Sequence, residues 1–461
     1  MHALLAQLVL YSDLARDPIL GGLGAACRNA RSVDRIELTG EVNALVKQLL
    51  DVATLYGFNG DLFRDYLAYK LLTCENSFSL TTERRGVTPG GTVNQLAEHD
   101  LGLLLQIMRY DLDPLARLLD APALMAIRYW TAIPKAEGNY HAGIAAQVRA
   151  LSDALATAAS GAEAFELVAR AYERVGVGFF GLNGSFRIRR AEPGEPFANA
   201  YVQPAYRTGA LEFVPVNNTQ VTRLEELVGY ERQKQQLVAN TEAFLAGRPA
   251  NDALLYGDAG TGKSTSVKAL AAHYYDQGLR MVEVYKHQCH ELPAVIEAIK
   301  HRNYRFVIFI DDLSFESDEV EYKYLKAVLE GGVESRPENV LVYATSNRRH
   351  LIRETWNDRN DRASEEDLHH SDTVEEKLSL SARFGLTIRY DSPNRQLYHD
   401  IVRSHAQAKL ARALADEVLV DGEPLTEERL LLLADRWEIR HGGVSGRVAE
   451  QFVDDLAGRL G

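Results

Sequence analysis

The sequence predicts an α/β fold for the second half of this 461-residue chain, with mainly helical parts before and after it. Apolar strand-like runs alternate there with helical patterns, which indicates a parallel sheet with helices on both faces. Helical periodicity prevails before about residue 175 and returns after residue 392. We therefore expect a parallel-sheet core with a C-terminal helical lid, preceded by a mainly helical N-terminal domain. The predicted boundaries are residues 1–175 for the helical domain, 176–221 for a connector, 222–392 for the core and 393–461 for the lid.

Composition narrows the classes of function. The formal net charge of −13 argues against a protein that coats nucleic acid through bulk charge, although a local basic patch is still compatible with the sequence. The three cysteines are scattered and form neither a paired metal spacing nor a disulfide framework, which is typical of a reducing cytoplasm. No uninterrupted apolar run approaches about 18 residues, so we expect no membrane span and a cytoplasmic protein.

The first 221 residues show no catalytic constellation. The charged residues of segment 1–175 fall on exposed helix faces, and the simplest interpretation is a module that binds an unidentified protein partner or regulates the core. Segment 176–221 is rich in glycine, aromatic residues and proline, which predicts an irregular connector. Its arginines at 187, 189 and 190 either bind a base or phosphate or belong to a connector that packs on its neighbours; the second reading is favoured.

The elements of the core and lid follow in order. A turn near residue 224 opens a helix that ends near residue 247. Strands are predicted at 253–256, 280–285, 305–310, 340–344 and 384–390, with intervening helices at 266–275, 292–300 and 321–330. Three amphipathic stretches, at 395–410, 426–437 and 445–460, form the lid. Ligands of such sheets bind at the carboxyl ends of the strands.

One loop between a strand and a helix matches a phosphate-binding template, Gly-x-x-x-x-Gly-Lys-Ser/Thr. Its residues are Gly257, Asp258, Ala259, Gly260, Thr261, Gly262, Lys263 and Ser264, followed by Thr265. The glycines let backbone N–H groups point inward, and the following helix N-terminus favours an anion. Lys263 is expected to reach the β- and γ-phosphates and Ser264 to bind Mg²⁺. The alternative is a glycine-rich turn that matches by chance.

Candidate catalytic side chains follow the later strands. The apolar run 306–310 ends in Asp311, expected in the Mg²⁺ shell, and Asp312, expected to orient the attacking water. Their structural alternative is to cap the following turn. Glu316 is a second carboxylate within range. Asn347 follows the next strand, where an amide can bind the water and the γ-phosphate. Arg383 precedes the last strand, and Arg447 follows a glycine-rich stretch at the start of the last lid helix.

The order of these motifs resembles that of the AAA+ ATPases over about residues 222–461. In that resemblance, residues 257–264 correspond to Walker A and 310–312 to Walker B, and Asn347 corresponds to sensor 1. Arg383 then resembles the arginine finger and Arg447 the sensor 2 arginine, and the segment that packs on adenine is Val228, Gly229 and Tyr230. Segments 251–264, 311–316, 344–350 and 375–380, with the connector, are similar to an uncharacterised bacterial AAA+ family whose Walker B segment reads Asp-Asp-Leu-Ser-Phe-Glu.

The resemblance implies ATP binding and hydrolysis with Mg²⁺ and a site completed by a neighbouring subunit. Two departures bear on activity. Most AAA+ proteins carry Asp-Glu where this chain has Asp311 and Asp312, and the shorter acid predicts slow hydrolysis or use of Glu316. The segment after residue 285 lacks the aromatic-apolar-glycine loop of polypeptide-threading machines. Its His287, Cys289 and His290 leave a metal site open as a minor alternative, because no fourth ligand is evident.

Three functions are compatible with these observations. The first is an ATPase that switches or remodels a macromolecular partner, with Arg383 supplied by a neighbouring subunit. The second is a loader or initiator relative that acts on a nucleic-acid-bound partner, which the acidic net charge does not favour. The third is an ATP-binding scaffold with little hydrolysis. Phosphate release separates the third from the first, and salt-dependent DNA binding separates the second.

Overall fold

The computed structural model describes residues 1–87, 89–131, 142–192, 206–216, 223–315, 319–331, 336–347, 351, 380–416 and 418–460. The chain divides into two compact units, Met1–Thr219 and Gln220–Gly461. Within the described residues, no helix combines the length and the apolar composition that a membrane crossing requires.

In its described residues up to Val175, the first unit contains ten α-helices. They are α1 (His2–Leu5), α2 (Pro18–Asn29), α3 (Arg35–Tyr56), α4 (Leu62–Thr73), α5 (Ser77–Thr82), α6 (Thr92–Met108), α7 (Asp113–Leu119), α8 (Pro122–Ala126), α9 (Ala142–Thr157) and α10 (Gly161–Val175). Local sequence explains where several of them start. Asp17, Asp34 and Asp61 each accept hydrogen bonds from the first free N–H groups of the helix that follows.

Buried tyrosines and apolar side chains form the core of these helices. Tyr66 donates to the buried carboxylate of Asp17, and the hydroxyls of Tyr11 and Tyr172 lie 2.9 Å apart. Each of these buried phenols is thus paired with a polar partner. Such pairing is expected because burying an unpaired hydroxyl costs free energy. The mainly helical first domain that the sequence predicts is confirmed for residues up to Val175.

The connector is not irregular, and that prediction is wrong for most of its described residues. Residues Gly178–Leu182 form α11, followed by strands β1 (Ser185–Arg190), β2 (Tyr206–Thr208) and β3 (Leu211–Pro215). β1 and β2 both pair antiparallel with β3. The aromatic side chains that suggested irregularity pack together instead; they are Phe179, Phe180, Phe186, Tyr206 and Phe213. The prolines and glycines of this segment led to the prediction of an irregular connector. In the structure, alternate residues of its strands contribute to one aromatic face.

The basic cluster of this segment is partly neutralised within the same sheet. Glu212 on β3 is buried and forms ion pairs with Arg189, at 2.8 Å, and Arg207, at 2.9 Å. Arg189 lies directly opposite Glu212 in the strand register. Cross-strand charge pairing thus accounts for one arginine of the cluster.

The second unit contains a parallel sheet. Its strands are β4 (Ala253–Gly257), β5 (Leu279–Glu283), β6 (Arg305–Ile310), β7 (Val340–Ser346) and β8 (Leu386–Tyr390), in the order β5-β6-β7-β4-β8. The helix α12 (Glu231–Leu245) precedes them, and the helices between them are α13 (Lys263–His273), α14 (Leu292–Ile299) and α15 (Glu321–Glu330). β4, β5, β6 and β7 are buried along most of their length, as expected for a sheet covered on both faces, whereas β8 exposes Thr387 and Arg389.

Strand register brings the carboxyl ends of the central strands together. β7 lies between β4 and β6, with Ser346 opposite Tyr256 and Ala344 opposite Ile310. The residues that follow β4, β6 and β7 therefore emerge side by side at one edge. That edge holds the phosphate-loop motif, the paired aspartates and Asn347.

The lid completes the unit. It consists of α16 (Arg395–Ala415), a short hairpin of β9 (Leu419–Val420) and β10 (Glu423–Pro424), α17 (Glu427–Arg440) and α18 (Gly446–Leu460). Its apolar side chains form a separate core, which we call the lid cluster, centred on Tyr398, Val402, Ala449 and Val453. The second unit thus has a parallel α/β core with a helical lid, as the sequence predicts.

Candidate functional site

The loop after β4 needs glycine where the backbone turns. Gly257, Gly260 and Gly262 have φ values of 137°, 74° and 85°, a region that L-residues with a Cβ rarely adopt. A Cβ on Gly257 would lie 1.9 Å from the carbonyl oxygen of Tyr390, whereas a Cβ on Gly262 would meet no atom within 4 Å. Gly257 is therefore required by close packing on β8, and Gly262 by backbone conformation alone.

Asp258 fixes the outer side of this loop. Its Oδ2 accepts hydrogen bonds from the hydroxyl of Ser392, at 2.7 Å, and from the Ser392 N–H, at 3.0 Å. These bonds lower the pKa of Asp258, because they stabilise the ionised carboxylate. The Asp258 N–H also donates to the carbonyl of Tyr390. The loop is thus held to the end of β8 without using the N–H groups of its inner curve.

Lys263 begins α13 and points back into the loop. Its Nζ lies 2.9 Å from the carbonyl of Gly257, 2.6 Å from that of Asp258 and 3.2 Å from Oδ1 of Asn347. Burial lowers the pKa of Lys263; three neighbouring aspartates oppose this effect and Arg447 adds to it. The ammonium group is therefore already directed toward the place where a phosphate bound by the loop would lie.

Asp311 and Ser264 face each other across the strand ends. Ser264 Oγ donates to Oδ1 of Asp311 at 2.5 Å. Both groups supply oxygen, the donor that Mg²⁺ prefers, and Mg²⁺ sites commonly use one or two carboxylates with water and substrate phosphate. These residues therefore fit a Mg²⁺ ion, with Ser264 and Asp311 as the protein groups that would hold it.

Asp312 adopts a left-handed conformation, with φ at 51°. Its carboxylate is exposed, and Oδ1 accepts a hydrogen bond of 2.8 Å from the Asn347 side-chain amide. Because Asn347 also contacts Lys263, one amide connects the lysine of the loop with the second aspartate. The structure thus brings together four of the residues that the sequence assigned to catalysis and metal binding: Ser264, Asp311, Asp312 and Asn347.

The lid contacts the loop through the start of α18. The N–H groups of Gly446 and Arg447 point to the carbonyl of Gly260, at 2.9 and 3.4 Å. A Cβ on Gly260 would lie 3.2 Å from Cβ of Arg447 and 3.0 Å from Oγ of Ser445. Arg447 is itself exposed, and its charge contributes to the lowered pKa of Lys263. The predicted lid arginine therefore lies beside the loop.

The predicted adenine-packing segment lies where the core meets the lid. Val228 packs against the lid cluster, while Tyr230 packs against the core and its ring lies 5.1 Å from that of Tyr390. The Tyr230 hydroxyl donates to the carbonyl of Asp391 at 2.8 Å, and burial raises the pKa of Tyr230 to about 12. Gly229, with φ at 80°, has no room for a Cβ beside Leu397. An aromatic wall thus stands between the two parts of the unit.

Arg383 is the candidate finger, and in this chain its Nη2 forms an ion pair of 2.8 Å with Oε1 of Glu330 at the end of α15. Glu316, the alternative acid, lies outside the described residues. So does the polar segment 352–379. In the loop after β5, Cys289 is fully buried, and the part of the chain that the structure describes contains no group of three His, Cys, Asp or Glu side chains able to hold a metal ion.

A family comparison covers both the core and the lid. The family model described as "Protein of unknown function (DUF815)" matches residues 198–460, more than half of the chain. The chain belongs to the DUF815 family. No curated protein sequence matches this DUF815 protein.

Solved structures give a weaker likeness. The Holliday junction branch migration motor RuvB of Thermotoga maritima aligns at 17% identity and a TM-score of 0.28, over 51% of this chain and 72% of that one. Two point mutants of RuvB align over the same shares at 17% and 16% identity, each with a TM-score of 0.30.

Two contributors to the site were not predicted from the sequence. Thr345 contacts both aspartates after β6, and Ser392 binds Asp258. A signal for Thr345 was present, because residues two apart in a strand face the same side and Asn347 follows two positions later. No local signal pointed to Ser392, because its role depends on how β8 lies beside β4.

Proposed function

We propose that the second unit of this DUF815 protein binds ATP with Mg²⁺ and hydrolyses it. The observation that supports the proposal most strongly is the convergence of Lys263 and Ser264 with Asp311, Asp312 and Asn347 at one edge of the sheet. These residues follow three separate strands, β4, β6 and β7. They lie together because those strands are parallel and in register. A glycine-rich turn used for structure alone would not need carboxylates and an amide from two other strands.

Each residue has a task that its contacts support. The loop N–H groups and Lys263 would bind the β- and γ-phosphates, which requires the lysine to exchange its carbonyl partners for phosphate oxygens. Mg²⁺ bound at Ser264 and Asp311 would neutralise charge that develops on the phosphates. Asp312 and Asn347 would orient the attacking water, and Asp312 would accept its proton.

We extend the proposal to a switch or remodeller that acts on a macromolecular partner in the cytoplasm. The Val228–Tyr230 segment contacts both the core and the lid cluster, so a base bound beside Tyr230 would join the two parts. Self-association would supply Arg383 of a neighbouring subunit to the γ-phosphate, and such an arginine accelerates phosphoryl transfer by about 10³–10⁵-fold. The first unit, with its separate core, is the candidate partner-binding module.

Phosphate release by the full chain tests the enzymatic part. We expect Mg²⁺-dependent turnover in the wild-type protein, and background turnover in Lys263→Ala, because that variant lacks the charge that binds the phosphates. Asp312→Asn should retain ATP binding with turnover reduced at least tenfold. A wild-type rate equal to that of Lys263→Ala would refute hydrolysis and leave a nucleotide-binding scaffold.

The partner requires a separate experiment. Asp312→Asn, which should hold ATP, is tagged in the native host and its co-purifying proteins are compared with those of Lys263→Ala. Proteins enriched only with Asp312→Asn are the expected result. ATP-dependent retention of DNA that falls steeply with salt would instead favour the loader function.

A further inference from the structure

The hydroxyl of Thr345 lies between the two aspartates of the candidate site. Thr345 belongs to β7 and is buried. Its Oγ1 donates a short hydrogen bond to Oδ1 of Asp311 and accepts one of 2.9 Å from the Asp312 N–H. The carbonyl of Thr345 also accepts from the N–H of Leu313, at 2.7 Å. One residue of the neighbouring strand thus contacts three consecutive residues after β6.

From this geometry we propose that Thr345 is a positioning residue for the two aspartates, a role that rests on the proposed ATP hydrolysis. Its hydroxyl fixes the orientation of the Asp311 carboxylate and holds the backbone of Asp312 in its left-handed conformation. We assign it no contact with the nucleotide. It acts through the acid that would hold Mg²⁺ and the acid that would orient the water.

The donors on Asp311 show why this hydroxyl matters when the site is in use. Oδ1 of Asp311 receives hydrogen bonds from Ser264, from Thr345 and from the Asp312 N–H. Ser264 would itself hold the metal ion, so only the other two donors would orient the carboxylate independently of the ion. Thr345 and the Asp312 N–H are these two donors. The Thr345 hydroxyl contacts both the Asp311 carboxylate and the Asp312 N–H.

The conformation of Asp312 supports the same conclusion. A φ of 51° is uncommon for a residue with a Cβ and is retained only where surrounding contacts determine it. Asp312 is held on two sides. Its N–H donates to the hydroxyl of Thr345 in β7, and its carboxylate accepts from Asn347, the residue after β7. Loss of the Thr345 hydroxyl would free the backbone while Asn347 still binds the side chain.

The test compares Thr345→Val, which replaces the hydroxyl with a methyl group, with Thr345→Ser, which retains it. We expect Thr345→Val to lower kcat by about 10- to 100-fold, since misplacement of a catalytic group by about 1 Å costs that much. KM for ATP should change less than about threefold, because Lys263 and the loop glycines are untouched. Thr345→Ser should recover kcat to within about fivefold of wild type.

Thr241→Val is the matched control for the loss of a buried hydroxyl. Thr241 is fully buried in α12. Its hydroxyl contacts Tyr343 of β7, the strand that also contains Thr345, and touches neither aspartate. We expect it to lower the melting temperature and to leave kcat unchanged. A Thr345→Val variant with wild-type kcat, or a Thr345→Ser variant as slow as Thr345→Val, would overturn the positioning role.

Two further measurements keep the inference separate from the proposed hydrolysis. Hydrogen exchange of the peptide that contains Asp312 and Leu313 should accelerate at least tenfold in Thr345→Val and stay near wild type in Thr345→Ser. The Mg²⁺ concentration at which a fluorescent ATP analogue binds half-maximally should rise severalfold in Thr345→Val only, while the affinity at saturating Mg²⁺ changes less than about threefold. If wild-type turnover equals that of Lys263→Ala, hydrolysis fails, and these two measurements still decide whether Thr345 holds the acids. Unchanged exchange and unchanged Mg²⁺ dependence would refute it.

Discussion

Replacing Gly257 with alanine tests how closely the phosphate loop packs on its neighbouring strand. The new Cβ would lie 1.9 Å from the carbonyl oxygen of Tyr390, and a separation below 3.0 Å is essentially never seen. The backbone at the end of β8 must therefore move by about 1 Å or more. That movement breaks the hydrogen bond from the Asp258 N–H to the same carbonyl.

The cost can be worked out from these contacts. Holding an L-residue at the φ of Gly257 costs about 1–3 kcal/mol, and losing one hydrogen bond costs about 1 kcal/mol more. The total, about 2–4 kcal/mol, corresponds to a fall in melting temperature of about 4–16 °C for a unit of this size. Gly262→Ala has a positive φ but no neighbour within 4 Å, so about 1–2 kcal/mol of conformational strain is expected.

Thermal unfolding of the two variants and wild type, without nucleotide and in the presence of EDTA, measures the difference. Both substitutions change a loop glycine to alanine and both should weaken ATP binding, so only stability separates them. The mid-range difference of about 1.5 kcal/mol predicts that Gly257→Ala melts about 3–6 °C below Gly262→Ala. Equal melting temperatures would show that the approach of the loop to Tyr390 does not constrain residue 257.

Three further predictions concern neighbouring contacts. Glu330→Gln should raise turnover by up to about fivefold at low protein concentration, because an exposed ion pair holds Arg383 by only about 0–1 kcal/mol; a decrease would mean that Glu330 orients the guanidinium for its target. Tyr230→Ala should weaken ATP binding by about tenfold and Tyr230→Phe by little, since base stacking needs the ring and not the hydroxyl; equal losses, measured by calorimetry, would contradict this. The lowered pKa of Asp258 should make wild type melt higher than Asp258→Asn above pH 4, the ordinary carboxyl range, and this advantage should disappear as the pH falls through the lowered pKa; an advantage that grows in acid would reverse the sign.

The fold of the second unit could be predicted from sequence because its strands are long, buried and well separated by helices. Continuous apolar runs such as Phe306–Ile310 have few alternatives to a central parallel strand. The prediction for the connector was wrong for the opposite reason. Its strands are short and antiparallel, and β1 and β2 depend on β3, whose Glu212 pairs with Arg189 and Arg207. Local composition suggested a linker where long-range pairing makes a sheet.

The site shows the same division between local and long-range information. Residues 257–264 are recognisable because their spacing meets a requirement of phosphate binding, and Asp311 because a strand delivers it to the ligand edge. The contacts of Ser392 and of Gly446 with the loop depend on packing between segments far apart in the chain. No periodicity encodes such contacts, and the roles assigned to Arg383 and Arg447 stay predictions.

The structure gives a physical reason for aspartate at position 312, where most AAA+ proteins carry glutamate. The residue adopts a left-handed conformation, which aspartate tolerates better than most residues because its short side chain can hydrogen-bond locally. The turn directs the carboxylate toward Asn347, whose amide lies 2.8 Å away. The shorter side chain thus contacts Asn347 from this backbone conformation, and the same amide reaches Lys263. A nucleotide that draws the lysine away from Asn347 would remove one of the two contacts that hold this amide, so the loop and the second aspartate are coupled through a single side chain.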